Sequence, residues 1–500
     1  MMDLLANLST GFGAALTPMN LLFCLVGALL GTLIGVLPGI GPTATIAMLL
    51  PVTFFLPPLG ALIMLAGIFY GSQYGGSTTA ILVNLPGEAS SVVTCLDGYQ
   101  MAVQGRAGAA LATAALGSFF AGCFATVLIA AVAPPLTELA LLFGPAEYVA
   151  LMVFGLVAAI VLASGSLVKA VGMILLGILL GLVGTDVNSG APRFAFGVAE
   201  LYDGIGFVTL AVGLFGIAEI CINLERTERR KILSDQINGL WPTRQDLRAM
   251  TPAVLRGTAL GSLLGVLPGG GASLAAFSAY SLEKKISRHP ERFGKGAIEG
   301  VAAPESANNA AAQTSFIPLL TLGIPPNAVM ALMVGAMTIH GIVPGPGVIQ
   351  QNPVLFWGMI ASMWIGNLML LVINLPLIGI WVQLLKVPYR LLFPAILLFC
   401  CIGVYSLNNS PVEVALVAAF GLLGYLFIKF GCEPAPLLLG FVLGPLLEEQ
   451  LRRAMLISRG DWGVFIDHRI SLVLLLAAAG LLITVVIPTV RRTRREAFQE

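Results

Sequence analysis

Long uncharged apolar runs decide what this chain can become. The first extends from about Met19 to Val36, and others follow near 61–72, 108–133, 147–163, 167–184, 205–223, 252–267, 328–340, 354–382, 391–406, 412–428, 436–447 and 470–490. A helix needs about twenty apolar residues to span a bilayer. Several runs reach that length. The shorter ones cluster around Gly and Pro, as broken or re-entrant helices do. A β-barrel would show short alternating segments instead. Charged residues make up only 10% of the chain, against about 25% in an average soluble domain. That is too few to coat a water-facing surface, and 57% hydrophobic residues exclude a disordered chain. The expectation is an all-α polytopic membrane protein. No Lys or Arg precedes the first run, so it reads as a retained membrane element and not as a cleaved signal.

The placement of charge carries more than its sum. A net charge of +1 points to no nucleic acid. Basic residues gather at Arg226, Arg229, Arg230, Lys231, Arg244 and Arg248, again at Lys284, Lys285, Arg288, Arg292 and Lys295, and in the tail Arg491-Arg492-Thr493-Arg494-Arg495. Positive charge marks the cytoplasmic side, and Arg106 and Lys169 mark two further cytoplasmic ends. The stretch 185–203, with Asp186, Glu200, Asp203 and only Arg193, fits the outside. Arg452, Arg453, Arg459 and Arg469 sit in a region that the span count also puts outside, against the charge rule. Seven cysteines without CxxC spacing read as small buried hydrophobes. Three scattered histidines give no metal site.

The sequence also repeats itself. Gly31-Thr-Leu-Ile-Gly-Val-Leu-Pro-Gly-Ile-Gly41 recurs as Gly261-Ser-Leu-Leu-Gly-Val-Leu-Pro-Gly-Gly-Gly271, with eight of eleven positions identical at an offset of 230. A weaker echo pairs Asn84-Leu-Pro-Gly87 with Gly323-Ile-Pro-Pro326. The flanks are bare in one half where they are basic in the other. Thr53–Pro58 has no charge, while Glu283–Arg288 is rich in it; Arg106 answers a stretch, 339–353, without Lys or Arg. Under the positive-inside rule the halves are inserted upside down relative to each other, the architecture of secondary transporters. The expected organisation is a first membrane repeat over 19–223, a cytoplasmic linker over 224–251, a second repeat over 252–456, a final membrane helix over 470–490 and a basic cytoplasmic tail over 491–500. It amounts to eleven or twelve spans plus re-entrant segments.

The breaks are where chemistry is expected. Prolines and glycines in Leu37-Pro-Gly39-Ile-Gly41-Pro-Thr43 stop one helix, and Thr43 stands ready to cap the next. Pro268-Gly269-Gly270-Gly271-Ala272-Ser273 repeats the arrangement. Broken backbone survives at membrane depth only inside protein or beside water. The freed N–H groups of a new helix start suit an anion, so Gly39, Gly41, Thr43, Gly269, Gly270, Gly271 and Ser273 are expected to hold a carboxylate. Plain kinks packed at small residues are the alternative. Ser77, Thr78 and Thr79 can offer hydroxyls to a substrate or a cation, or bond back to their own helix. Glu305, Asn308 and Asn309 share one helix face at i, i+3 and i+4 and are expected to bind Na⁺ or carry a proton; an interfacial helix start is the other reading. Lys169 and Lys429 read as snorkelling helix ends. No phosphate-binding loop and no nucleophile elbow is present.

These motifs resemble the large membrane subunit of the tripartite tricarboxylate transporters of bacteria. The likeness rests on Gly35-Val-Leu-Pro-Gly-Ile-Gly-Pro42, Tyr74-Gly-Gly-Ser-Thr-Thr79, Asp97-Gly-Tyr99 with Gly105-Arg-Ala-Gly108, Gly213-Leu-Phe-Gly-Ile-Ala-Glu219, His289-Pro-Glu-Arg-Phe-Gly-Lys-Gly296 and Gly300-Val-Ala-Ala-Pro-Glu-Ser-Ala-Asn-Asn309, and covers about 20–470. It implies a permease of the bacterial inner membrane driven by an ion gradient. It also implies two partners, a small membrane subunit with about four helices and a periplasmic solute-binding protein that delivers a carboxylate. The chain departs from the family pattern at Pro326-Asn327 and at Gln313-Thr314. The function expected is import of a tricarboxylate or related organic carboxylate coupled to Na⁺ or H⁺, without a cofactor and without catalysis. An anion channel or an intramembrane enzyme is the rival.

Overall fold

The computed structural model describes residues 2–37, 41–163, 166–186, 189–225, 239–269, 271–384 and 393–486. Gly39, Gly270, the basic run Arg226–Lys231 and the tail 491–500 lie outside the described residues. The described chain is almost wholly helical, with one two-stranded ribbon, Gly184–Thr185 against Pro192–Arg193.

Helices of twelve residues or more are numbered in chain order. The first half holds α1 (Met2–Ala15), α2 (Pro18–Val36), α3 (Pro42–Thr53), α4 (Pro58–Val83), α5 (Ala107–Ala140), α6 (Pro145–Leu162), α7 (Leu167–Gly181) and α8 (Phe207–Glu225). The second holds α9 (Arg244–Val266), α10 (Gly271–Ile286), α11 (Glu299–Thr314), α12 (Ala328–Ile339), α13 (Pro353–Asn374), α14 (Phe393–Asn408), α15 (Pro411–Lys429), α16 (Pro434–Ile457) and α17 (Arg469–Val486). Proline opens α2, α3, α4, α6, α13, α15 and α16, a position where its missing N–H costs nothing and its fixed φ favours the first turn. The start of α9 is a capping box, Thr243 with Asp246.

Five described helices, α2, α5, α8, α13 and α15, are long and apolar enough to cross a membrane. That is fewer than the eleven or twelve spans read from the apolar runs. Other runs fold as shorter helices, such as α3, α7 and α12, or as helices whose polar residues are hidden by neighbours. The extreme case is α4, buried on all sides from Gly60 to Val83 although it carries Ser72, Gln73, Ser77, Thr78 and Thr79.

The repeat is visible in the packing, residue by residue. The most extensive helix pairs are α2 with α4 and α9 with α11. In the first pair Gly27, Gly31 and Gly35 face the carbonyl oxygens of Met64, Ile68 and Ser72. In the second Gly257, Gly261 and Gly265 face those of Ala303, Ala307 and Ala311. A Cβ at any of the six would fall under 3.0 Å from its carbonyl. The glycines are related by the offset of 230 seen in the sequence. Their partners are related by 239, since the hairpin connection is longer in the second half. Small residues at every fourth position are what let helix backbones touch in an apolar medium.

The halves also exchange arms. Helix α5 packs on α11 and α9, whereas its counterpart α13 packs on α4 and α2. The two arms cross where Gly122 meets Asn367, and Trp364 Nε1 donates to the Cys123 carbonyl at 3.2 Å. The counterpart helices α4 and α11 meet in opposite senses. Ser77 touches Glu305, while one turn further along α4 Ile81 flanks Gly98 opposite Val301, one turn back in α11. Opposed counterparts are what an inverted repeat requires.

Two groups of polar contacts tie distant parts of the chain together. One joins Arg106 to Asp246 (2.5 Å), Gln104 to the Lys295 carbonyl (2.8 Å) and Arg256 to Glu283 (2.6 Å). The other joins Arg193 to Glu448 (2.8 Å), Arg452 to Asp186 (3.2 Å) and to Glu448 (2.5 Å), and His468 to Glu147 (2.6 Å). Arg452, which broke the charge rule, is thus tied to Asp186 in the very stretch expected outside. Arg453 pairs with Glu449 at 2.5 Å.

Replacing Gly261 by Leu drives a branched side chain into the Ala307 backbone. Overpacking costs about 1–3 kcal/mol, and more is expected against backbone that cannot yield. The variant should lose its monodisperse peak in detergent size-exclusion chromatography. Gly13→Ala, where nothing lies within 4 Å of the new Cβ, should behave as wild type.

Candidate functional site: a buried carboxylate between the two halves

Helix α11 carries Glu305, Asn308 and Asn309 on one face, and all three are buried. Three elements of the first half converge on them. From α4, Ser77 Oγ donates to Glu305 Oε2 at 2.5 Å. From the short helix Val92–Thr94, the Thr94 hydroxyl donates to Oε1. From α5, Ser118 Oγ accepts from Asn309 Nδ2 at 2.7 Å and donates to the Glu305 carbonyl at 3.4 Å. Within α11, Asn308 Nδ2 lies 3.4 Å from Glu305 Oε2, and the second hydrogen of the Asn309 amide is shared between Asn308 Oδ1 and the Glu305 carbonyl, both 3.0 Å from Nδ2. Among the described residues no Lys, Arg or His pairs with Glu305. Asn309 Oδ1 is buried without a hydrogen-bond partner. The carboxylate is met by hydroxyl and amide donors but by no cation, and burying charge is costly unless something compensates it.

Glu305 is therefore no interfacial helix start. Ser77 Oγ also lies 3.1 Å from the Gln73 carbonyl, the back-bonding alternative, but the shorter contact, at 2.5 Å, is the one to Glu305 Oε2. Thr94 and Ser118 escaped the sequence reading. Ser118 is one of several hydroxyl residues in α5, with Thr113, Thr126 and Thr137, and nothing local sets it or Thr94 apart. Beside the cluster lies a cavity of ≈ 10 Å³, about one water in size, lined by Tyr74, Ser77, Thr78, Leu111 and Ser118 among others.

A second acid stands on the same face of α4. Glu88 accepts from Gln73 Nε2 (2.7 Å), Ser90 Oγ (2.7 Å) and, at longer range, Ser72 Oγ (3.5 Å). Its backbone, φ −151 and ψ 171, matches Asn327, φ −151 and ψ 174, at the equivalent position of the second half. Just before each of them the chain turns through a left-handed residue, Asn84 or Gly323. The second breaks are thus the same structure twice. The unusual pair Pro326-Asn327 fits it: the Pro326 carbonyl accepts from Gly269 N at 2.7 Å, and the Asn327 side chain caps α12 by accepting from Met330 N at 2.9 Å.

The first breaks correct two expectations. The cap of α3 is Gly41, with Pro42 at the first position, so Thr43 lies inside the first turn and caps nothing. A helix start whose cap has no side chain leaves its early N–H groups without a side-chain acceptor. In the second half α10 begins at Gly271, which places Ser273 inside its first turn too. Thr79 is committed elsewhere: its hydroxyl donates to the Val36 carbonyl at 2.7 Å, satisfying a carbonyl that the end of α2 leaves open. It is a backbone clamp and has no free hydrogen for a substrate. Thr78 is buried on the cavity wall. The hydrogen bonds around Glu305 include neither Thr43 nor Ser273.

Interrupted apolar helices in two opposed copies are those of a multi-pass membrane protein. The chain belongs to the tripartite tricarboxylate transporter TctA family, which it matches over residues 21–439. It is accordingly the large subunit of a transporter built with partner subunits. It is 62% identical, over all 500 residues of this chain and the whole of the relative, to an Agrobacterium vitis protein described as an uncharacterized 52.8 kDa protein in the TAR-I ttuC' 3' region. It is 63% identical over 240 residues, 48% of this chain and 99% of the relative, to an uncharacterized protein in the TAR-II ttuC' 3' region of the same organism. No solved structure matches.

Thr79→Val keeps the shape and removes the donor to Val36. Leaving a buried carbonyl unsatisfied costs about 1–3 kcal/mol. The variant is expected to melt several degrees lower in detergent while still binding whatever ligand protects the wild type.

Proposed function

We propose that the chain is the permease subunit of a secondary active transporter of the bacterial inner membrane. It imports a tricarboxylate or related organic carboxylate together with Na⁺ or H⁺. The observation that carries this reading is Glu305, a carboxylate buried where the halves meet, with hydroxyl and amide donors and no basic partner among the described residues. Such a group is stable when a proton or a metal cation sits on it, which makes its occupancy a natural coupling step. Asn308 and Asn309 complete the coupling site, and the unpartnered Asn309 Oδ1 is the oxygen a cation would take.

The substrate's carboxylates go to the helix starts at Gly41–Thr43 and Gly271–Ser273, the second preceded by Gly269. Ser77 and Thr78 supply hydroxyls on the side of the cavity. Each helix start offers N–H groups and the positive end of a helix dipole. One repeat moves against the other to expose this region to each side in turn. The carboxylate arrives on a periplasmic binding protein, and a small membrane subunit of about four helices completes the assembly, as in the family.

Uptake of a labelled carboxylate into energised vesicles holding the complete transporter tests the reading. Glu305→Ala and Asn308→Ala should insert normally and lose at least about tenfold in concentrative uptake, the scale of one lost charge-assisted contact. Wild-type accumulation by both variants would remove the coupling site. Uptake that stops at the equilibrium concentration in the wild type would favour the anion channel. Ser273→Ala should raise KM with a smaller change in kcat, since it removes a ground-state contact.

A further inference from the structure

One stretch of the first half reaches two places at once. Residues 92–99 form a single turn of α-helix, Val92–Thr94, continued by a π-helical turn, Cys95–Tyr99. Thr94 donates to Glu305. Asp97, one turn on and fully buried, holds the loop that precedes α11 in the other half: its Oδ1 accepts from Gly296 N at 2.8 Å and Ala297 N at 2.7 Å, and its Oδ2 accepts from Tyr280 OH at 2.9 Å. A Cβ on Gly300 would strike the same carboxylate, so the fit requires glycine there. The neighbouring contacts Gln104 to the Lys295 carbonyl and Arg106 to Asp246 tie the same stretch to the same face.

We propose that 92–99 is a lever that links occupancy of Glu305 to opening of the cytoplasmic side, with Asp97 as its latch and Thr94 as its sensor. The proposal rests on the reading of Glu305 as the coupling carboxylate. An ionised Glu305 draws the Thr94 hydroxyl strongly, because charge-assisted hydrogen bonds are about twice as strong as neutral ones. A proton or cation on Glu305 weakens that pull. The turn then relaxes, and Asp97 releases the Gly296 and Ala297 amides at the entrance to α11. A π turn suits this role, since its irregular backbone has a second register close by. Asp97 and Thr94 touch no substrate; they are positioning residues.

Hydrogen–deuterium exchange of the full chain in nanodiscs reads the latch directly, because Gly296 N and Ala297 N are the groups Asp97 protects. Asp97→Asn should speed exchange across 294–300 by about tenfold, as expected for a charged acceptor replaced by a neutral one. The side-chain hydrogen bonds of Thr94 and Glu305 do not reach 294–300, yet Thr94→Val and Glu305→Gln should each speed its exchange by a similar factor. The Thr94→Val/Glu305→Gln double variant should go no further, because both cut the same link. Exchange in α16 should stay at the wild-type rate in every variant, which separates the effect from unfolding. Wild-type exchange at 294–300 in Thr94→Val, or additive effects in the double variant, would overturn the lever whatever Glu305 binds. Normal concentrative uptake by Glu305→Ala would overturn the coupling reading and leave the exchange results to decide the lever alone.

Discussion

The fold hangs on backbone touching backbone. In both halves a ladder of three glycines, four residues apart, lets one helix lie against the carbonyls of the next. Lipid gives apolar helices little reason to associate with each other. What holds them is close van der Waals contact, and close contact needs small residues. With α2 in the groove of α4, and α9 in that of α11, the break at Leu37 is buried, while the matching break at Leu267 stays exposed on one side. Loose backbone groups at both breaks find partners: Thr79 for Val36, and Gly269 for Pro326. The interruptions are tolerable because these contacts satisfy backbone groups that the breaks leave open.

That packing also makes room for polar chemistry at the seam. Helix α4 is hidden all round and carries a polar face that no lipid-exposed helix could keep. The face runs from Gln73 and Ser72, which hold Glu88, to Ser77, which holds Glu305. The two halves have the same backbone at their second breaks, but they do not carry the same acids. Glu88 is answered by Asn327, and Glu305 by Ala66. The duplication supplies a symmetric frame, and the departures from symmetry place both carboxylates on one seam.

Much of this was legible before any coordinates. The repeat announced itself in eight identical residues, and the offset of 230 returned in the glycine ladders. The face shared by Glu305, Asn308 and Asn309 followed from helical spacing and holds in the structure. Helix caps were harder. Thr43 looked like the cap because Thr commonly is one; the chain turns two residues earlier, at Gly41, since Pro42 already has the φ of a first helical residue. Thr79 looked free because nothing local shows that the Val36 carbonyl, 43 residues away, lacks a partner.

The sequence alone determined the medium, the duplication and the places where helices break. Those follow from local composition and spacing: apolar length, repeated words, and the stereochemistry of Gly and Pro. Tertiary structure decided which side chains meet. Thr94 reaches the Glu305 carboxylate and Ser118 the Glu305 backbone carbonyl, each about 200 positions away, and Asp97 holds amides of the opposite half. Such contacts depend on how two inverted copies cross and on which arm each lends to the other. That geometry is set by the sum of many weak packing contacts, and no single stretch of residues encodes it.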